Sequence, residues 1–273
     1  MEMMEQLSLR LSQGHLNILS TCGRKFQYIF LEKIPYVVPV EQQEKSEWGS
    51  QFHLLMQQRE LGLPIEGILA RDPQFKQGLE RLMTTYPGLF ADGGDFRESE
   101  HQRTLEFEGY WLTVIYDLLI CRSHQAQIMD WKTYLQPQNS DRLKQNWQTR
   151  LYPFVLAETS HYPPEQISIT YWFVKGKNSL HNRATALEFK YDNGQHKQTK
   201  LELSKLLCQL NQELKDYIQG HDFPQVPVTS SECTRCPFAR RCDRLSSDQV
   251  TEVTVDSELW SLPPLDSIPE IPI

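Results

Sequence analysis

The chain has 273 residues, a formal net charge of −7, 39% apolar residues and six cysteines. That length gives one large domain or two small ones, with ample chain for a real core. No apolar run approaches the ~20 residues that span a bilayer and no charged-then-apolar leader is visible, so a membrane protein is not expected and the cytoplasm is the default location.

Ser12 suits the N-cap of a helix that carries Leu16 and Leu19 at helical spacing. A polar break, Thr21-Cys22-Gly23-Arg24-Lys25, follows it. Trp48 to Leu61 reads as a second helix with Phe52, Leu55 and Met56 apolar, and His53 stands four residues after Gly49. Taken alone, that histidine reads as structural. Phe75, Leu79, Leu82, Met83 and Tyr86 form a third helical stripe, ended by Pro87-Gly88. Asp92-Gly93-Gly94-Asp95 is a loop, and three strand-like runs come next: Arg103–Phe107, Tyr110–Cys121 and Ala126–Thr133. Glu108-Gly109 and Ser123-His124 are their turns.

Pro137 to Asp141 is a break, and Arg142 to Glu158 is expected as one helix with Leu143, Trp147, Leu151, Phe154 and Val155 on a face. Ile167–Val174 alternates as a strand, with Ala184–Tyr191 its partner, and a leucine-rich stretch marks a long helix to about Ile218. The order implies a mixed α/β core with a helical lead-in, here taken as residues 1–245. The remainder, 246–273, is read as an acidic, Pro-containing mobile tail: it holds six acids and no Lys or Arg, and without it the chain has 29 acids against 28 bases. A near-neutral body permits local basic patches, at Arg142, Lys144 and Arg150, at Lys175 and Lys177, and at Arg235, Arg240, Arg241 and Arg244.

Two constellations carry chemistry. In the strand ending Ile128-Met129-Asp130-Trp131-Lys132-Thr133, Asp130 and Lys132 are two apart and share a face. Asp117 on the preceding strand can meet them across the hairpin. Two carboxylates and an ammonium are costly to gather for stability alone, and such a set can hold a divalent cation against a phosphate. The second constellation is Cys233-x2-Cys236-x5-Cys242, which points to thiolate coordination. Cys22 is the best fourth ligand, since it lies in a turn-like break beside Arg24 and Lys25, whose charge favours a thiolate. One knuckle, one nearby cysteine and one distant cysteine lean towards a [4Fe–4S] cluster over Zn²⁺, whose arrays more often pair two knuckles. Cys121 and Cys208 read as core thiols.

With these pieces assembled, the chain resembles the RecB-like branch of the PD-(D/E)XK nuclease superfamily, and within it the members with a four-cysteine iron-sulfur cluster, namely CRISPR-associated RecB-like exonucleases and the AddB-type nuclease domain. The matching residues run in family order: Leu16-Asn17-Ile18-Leu19-Ser20-Thr21-Cys22-Gly23-Arg24-Lys25-Phe26, Gly49-Ser50-Gln51-Phe52-His53, Asp117, Asp130-Trp131-Lys132-Thr133, Gln148-Thr149-Arg150-Leu151-Tyr152, and the closing cysteine array. Two departures stand out. Gly23 follows Cys22 where relatives commonly have Pro, and Val114 stands three residues before Asp117 where they commonly have Gly.

The resemblance implies a restriction-endonuclease-like α/β core, a mixed central sheet flanked by helices, with a C-terminal cysteine cluster. It implies a Mg²⁺- or Mn²⁺-dependent deoxyribonuclease, with single-stranded DNA ends as substrate and a helicase or CRISPR-associated protein as a possible partner. His53, Asp117 and Asp130 become the metal ligands, with the Trp131 carbonyl as a fourth, and Lys132 acts on the attacking water or on the phosphate. Gln148 and Tyr152 position Lys132 and the DNA. Cys22, Cys233, Cys236 and Cys242 hold the cluster. Glu98 and Glu100 are candidates for a further acid that relatives carry upstream, Glu100 being preferred. The alternative is a non-catalytic iron-sulfur DNA-binding or scaffold subunit of a helicase-nuclease or CRISPR complex.

Overall fold

The computed structural model describes residues 9–90, 95–134, 140–174 and 185–244. Asp92 to Gly94, Pro137, Lys175, Lys177 and the acidic tail lie outside the described residues. The chain divides into two compact units, one of Met1–Glu47, Glu108–Tyr110 and Leu201–Ile273, the other of Trp48–Phe107 and Trp111–Lys200.

The first unit contains β1 (Arg10–Leu11), α1 (Gln13–Thr21), α2 (Gly23–Phe26), a π-helical turn at Gln27–Leu31, and the 3₁₀ turn Ser231–Arg235. Ser12 caps α1 as its sequence predicts, but its reciprocal partner is a histidine: the Ser12 N–H donates to His15 Nδ1 at 3.0 Å. Gln27 is fully buried in the π turn. Its Nε2 donates to Asp222 Oδ1 at 2.7 Å, and its Oε1 accepts the Phe223 N–H at 2.7 Å. Arg24 pairs with Asp222 at 3.1 Å and donates from Nε to the Phe223 carbonyl at 2.8 Å. Polar bonds from buried groups fix one geometry, because leaving any of them unmade costs about 1–3 kcal/mol.

His15 gives this unit an acid sensitivity. It is 1% exposed, and burial lowers its pKa from 6.5 to about 4. The folded value lies below the unfolded one, so the neutral ring's contribution is complete above about pH 6.5 and is lost as pH falls through about 4. The difference corresponds to about 3 kcal/mol. We expect urea midpoints to fall steeply between pH 6.5 and 4, and a His15→Leu variant to show a flatter profile over that window. Parallel profiles for the two proteins would contradict this.

In the second unit, β2 (Phe96–Phe107), β3 (Tyr110–Arg122), β4 (Gln125–Lys132), β5 (Ile167–Phe173) and β6 (Thr185–Lys190) share one sheet. β2 pairs with β3. β3 and β4 are antiparallel with Leu118 opposite Met129, β4 and β5 are parallel with Asp130 level with Tyr171, and β5 and β6 are antiparallel. The sheet is therefore mixed, as expected. Phe52, Leu55 and Met56 of α3 (Val40–Glu60) and Phe75, Leu79 and Leu82 of α5 (Pro73–Thr85) pack with Leu118, Ile120, Met129, Trp131 and Trp172. Each such side chain contributes about 1.5–3 kcal/mol by leaving water. Asp72 starts α5 by accepting the Gln74 N–H at 2.7 Å, ahead of Pro73 at the first helical position. A short α4 (Glu66–Arg71) precedes it.

Several expectations change. Residues 142–158 are not one helix: α6 (Asp141–Gln145) ends at Asn146, whose extended backbone breaks the run. The Asn146 side chain then accepts the Gln148 N–H at 2.8 Å and starts α7 (Trp147–Glu158), because a side-chain amide competes well for an unpaired helical N–H. α3 begins eight residues before Trp48 and β2 begins at Phe96 rather than Arg103. Met83 is 43% exposed, at the edge of the α5 stripe, and Cys208 is exposed on α8 (Asn193–Ile218), whereas Cys121 is buried as expected. Among the described residues no helix is long and apolar enough to cross a membrane.

Candidate functional site

In the second unit α3 approaches the end of β4 closely. A Cβ on Gly49 would lie 3.0 Å from Thr133 Oγ1, so the Thr133 side chain would have to give by a few tenths of an ångström to admit one. His53 stands one turn later on the same face. Its Nδ1 lies 3.2 Å from Asp117 Oδ1. The other Asp117 oxygen accepts the backbone N–H of Trp131 at 2.6 Å, which fixes the carboxylate against β4.

Asp130 and Lys132 point from one face of β4, as strand alternation requires. Lys132 Nζ is 2.9 Å from Asp130 Oδ2 and donates to Gln148 Oε1 at 2.7 Å. Gln148 Nε2 donates to Asp130 Oδ1 at 2.7 Å. One amide of α7 thus holds both the acid and the base. The Lys132 ammonium also lies over the Tyr171 ring, 4.9 Å from its centroid. Tyr152 is buried one turn after Gln148, in reach of its amide and edge-on to Tyr116 at 5.3 Å. Asp130 is only 3% exposed, and among the described residues its Oδ2 lacks a hydrogen bond of proper geometry despite the nearby ammonium.

Glu100 joins this group. It is a non-glycine residue at φ 52 inside β2, a conformation that bends a strand and re-aims its side chain. Its carboxylate, His53 and Asp117 bring ligand atoms to within 4.8 Å of one another. Glu98 is instead exposed and bonded to His101 Nδ1 at 2.6 Å.

The charges at this site strain against each other. Burial alone would lower the His53 pKa, but the charge and hydrogen bond of Asp117, then Asp130 and Glu100, raise it to about 9. Burial, then Asp117 and Asp130, raise Glu100 to about 7, with His53 opposing. Burial also raises Asp130, against the pull of Lys132. Three carboxylates facing two cations in a half-buried site leave a deficit of positive charge, and oxygen and imidazole donors at this spacing suit a divalent cation. His53, Asp117, Asp130, Lys132, Gln148 and Tyr152 are thus brought together. Trp147 and Trp172 are buried core residues; Trp172 donates to Met129 Sδ at 3.1 Å.

The first unit holds a second cluster. Cys22, between α1 and α2, lines one pocket with Cys233, Cys236, Cys242, Lys25 and Arg244. Burial raises the thiols of Cys233, Cys236 and Cys242, and each is raised further by Cys22. Gly23 has a local reason here: a Cβ would come 3.1 Å from Glu213 Oε2 and 3.3 Å from Pro224 Cδ. Four thiols with cations beside them form a donor set that fits a negatively charged metal-thiolate centre.

A family profile described as the PD-(D/E)XK nuclease superfamily matches residues 10–243. No curated protein matches the chain significantly. Among solved structures, a candidate exonuclease from Eubacterium rectale is similar with 10% identity and a TM-score of 0.45, over 74% of this chain and 82% of that one. The protein SSO0001 is similar with 14% identity and a TM-score of 0.37, over 87% of this chain and 88% of that one. At those identities and scores neither likeness bears on activity.

Proposed function

The chain belongs to the PD-(D/E)XK nuclease superfamily, and from that premise we propose that it is a divalent-metal-dependent DNA nuclease of the RecB-like branch, an exonuclease acting at single-stranded DNA ends in DNA repair or CRISPR adaptation. The observation that carries the reading is the linkage of Asp130, Lys132 and Gln148 beside the His53–Asp117 pair. The choice of branch, of single strands and of end-directed action rests on the motif set from Cys22 to Cys242.

His53, Asp117 and Asp130 would hold Mg²⁺ or Mn²⁺, with Glu100 and the Trp131 carbonyl as further oxygen donors. When bound, the cation supplies Lewis-acid polarisation of the phosphate and a lowered pKa for water. The protein's own groups do the rest. Asp117, pinned by the Trp131 N–H, keeps its remaining oxygen towards His53. Lys132 carries its charge to the side of the phosphate where negative charge grows. Gln148 ties both Lys132 and Asp130 to α7, since it occupies one hydrogen-bonding site on each. Cys22, Cys233, Cys236 and Cys242 would hold a [4Fe–4S] cluster of structural role, because hydrolysis transfers no electron.

The test is cleavage of end-labelled single-stranded and duplex DNA by anaerobically purified protein with Mn²⁺, Mg²⁺ or EDTA. We expect cleavage of the single strand with either cation, none in EDTA, and products that shorten from one end. Intact DNA under every condition, from protein loaded with iron, would reject the nuclease and favour the scaffold alternative.

A further inference from the structure

The last cysteine of the array sits in a turn whose geometry continues to Arg244. The Arg244 N–H donates to the Ala239 carbonyl at 2.9 Å and the Asp243 N–H to the Arg240 carbonyl at 3.1 Å. Asp243, between Cys242 and Arg244, has φ 56. This nested pair of bonds around a left-handed residue is a Schellman turn. It is usually closed by Gly, and Asp is strained in that conformation. The turn aims Cys242 and Arg244 at the same pocket.

Arg244 is anchored there from one end only. Its Nη2 donates to the Val226 carbonyl at 2.9 Å, whereas its Nε is buried and has no hydrogen-bond partner among the described residues. A buried, charged donor without an acceptor is destabilising, and an anionic sulfur would meet that need. We propose that Arg244 is a positioning residue for the iron-sulfur centre, its Nε–H donating to a sulfur of that centre; this rests on the cluster reading of the four cysteines. The surrounding charges agree. Lys25 and Arg244 both line the pocket that the four cysteines share. Hydrogen bonds and positive charge at the sulfurs favour the more reduced, more negative state of a cluster.

The experiment uses the full chain, purified without oxygen, as wild type, Arg244→Lys and Arg244→Gln. Iron and sulfide per chain, the reduction potential, and the rate of bleaching in air are measured. Arg244→Lys keeps a cation and a donor for the Val226 carbonyl but removes the Nε–H, so it decides the matter if Arg244→Gln does not fold. We expect both variants to take up iron, to reduce at more negative potential, and to bleach several-fold faster, Arg244→Gln more so. Wild-type potential and bleaching rate in Arg244→Lys would overturn the proposal alone. A wild type that carries zinc or no iron would overturn the cluster reading and this proposal together.

Discussion

Lys132→Ala is expected to lower the rate of DNA cleavage by about 10²–10³-fold or more, the size found when one charge-stabilising donor is removed from a preorganised site. The ammonium is held at 2.9 Å from Asp130 and 2.7 Å from Gln148, and is mostly buried, so no water can take its place with the same charge and position. The variant also leaves Asp130 without its cation. Breaking a buried pair on one side costs about 3–5 kcal/mol if the survivor stays charged. Burial already raises the Asp130 pKa, so protonation should absorb much of that cost and the fold should survive. Single-turnover cleavage and a thermal midpoint, measured on the same preparation, separate the two effects. Full activity in a folded variant would remove Lys132 from the mechanism. Loss of activity with an intact fold and retained Mn²⁺ binding is the expected pattern.

Gln148→Glu should be nearly as damaging, although it changes a single heavy atom. The amide serves two masters: its oxygen accepts from Lys132 and its nitrogen donates to Asp130, each at 2.7 Å. A glutamate keeps the first bond but turns an oxygen towards a carboxylate that is 3% exposed. One of the two acids must take up a proton, or they must separate. Losing the bond and gaining repulsion should cost on the order of 2–3 kcal/mol, about 10²-fold in rate. The acidic limb of the pH–rate profile should move to higher pH. Gln148→Ala, which removes the bonds without adding charge, should lose less. Equal losses in both variants would mean that Gln148 fills space rather than placing Asp130 and Lys132.

Much of this was legible because strand alternation is strict. Asp130 and Lys132 had to share a face, and the i, i+4 spacing of Gln148 and Tyr152 had to put them on one side of α7. The cysteine spacing was equally plain, and the pocket now gathers Cys22 with its three distant partners. Other features lacked a local signal. Val40 to Glu47 forms helix without an apolar stripe, supported by pairs such as Lys45–Glu41 at 2.7 Å, so periodicity began only at Trp48. Glu100 depends on a left-handed residue within a strand, in a stretch where polar residues hide any alternation. The break at Asn146 looked like continuous helix because its neighbours keep the apolar spacing; only the cap bond shows that the chain stops and restarts.

The first unit draws on segments that flank the second, with Cys22 on one side and the other three cysteines on the other. During synthesis the Cys22 thiol emerges first, and roughly 150 residues of the second unit separate the two segments. At about 5–20 residues per second that interval lasts about 8–30 s. The second unit therefore has time to fold on the ribosome while the first is still incomplete. Under the proposed cluster reading, metal loading at the cysteines would be the closing event of biogenesis. A ribosome that stalls before Cys233 leaves Cys22 without its three partners, so on that reading a loaded centre would report that the chain was read through to the array.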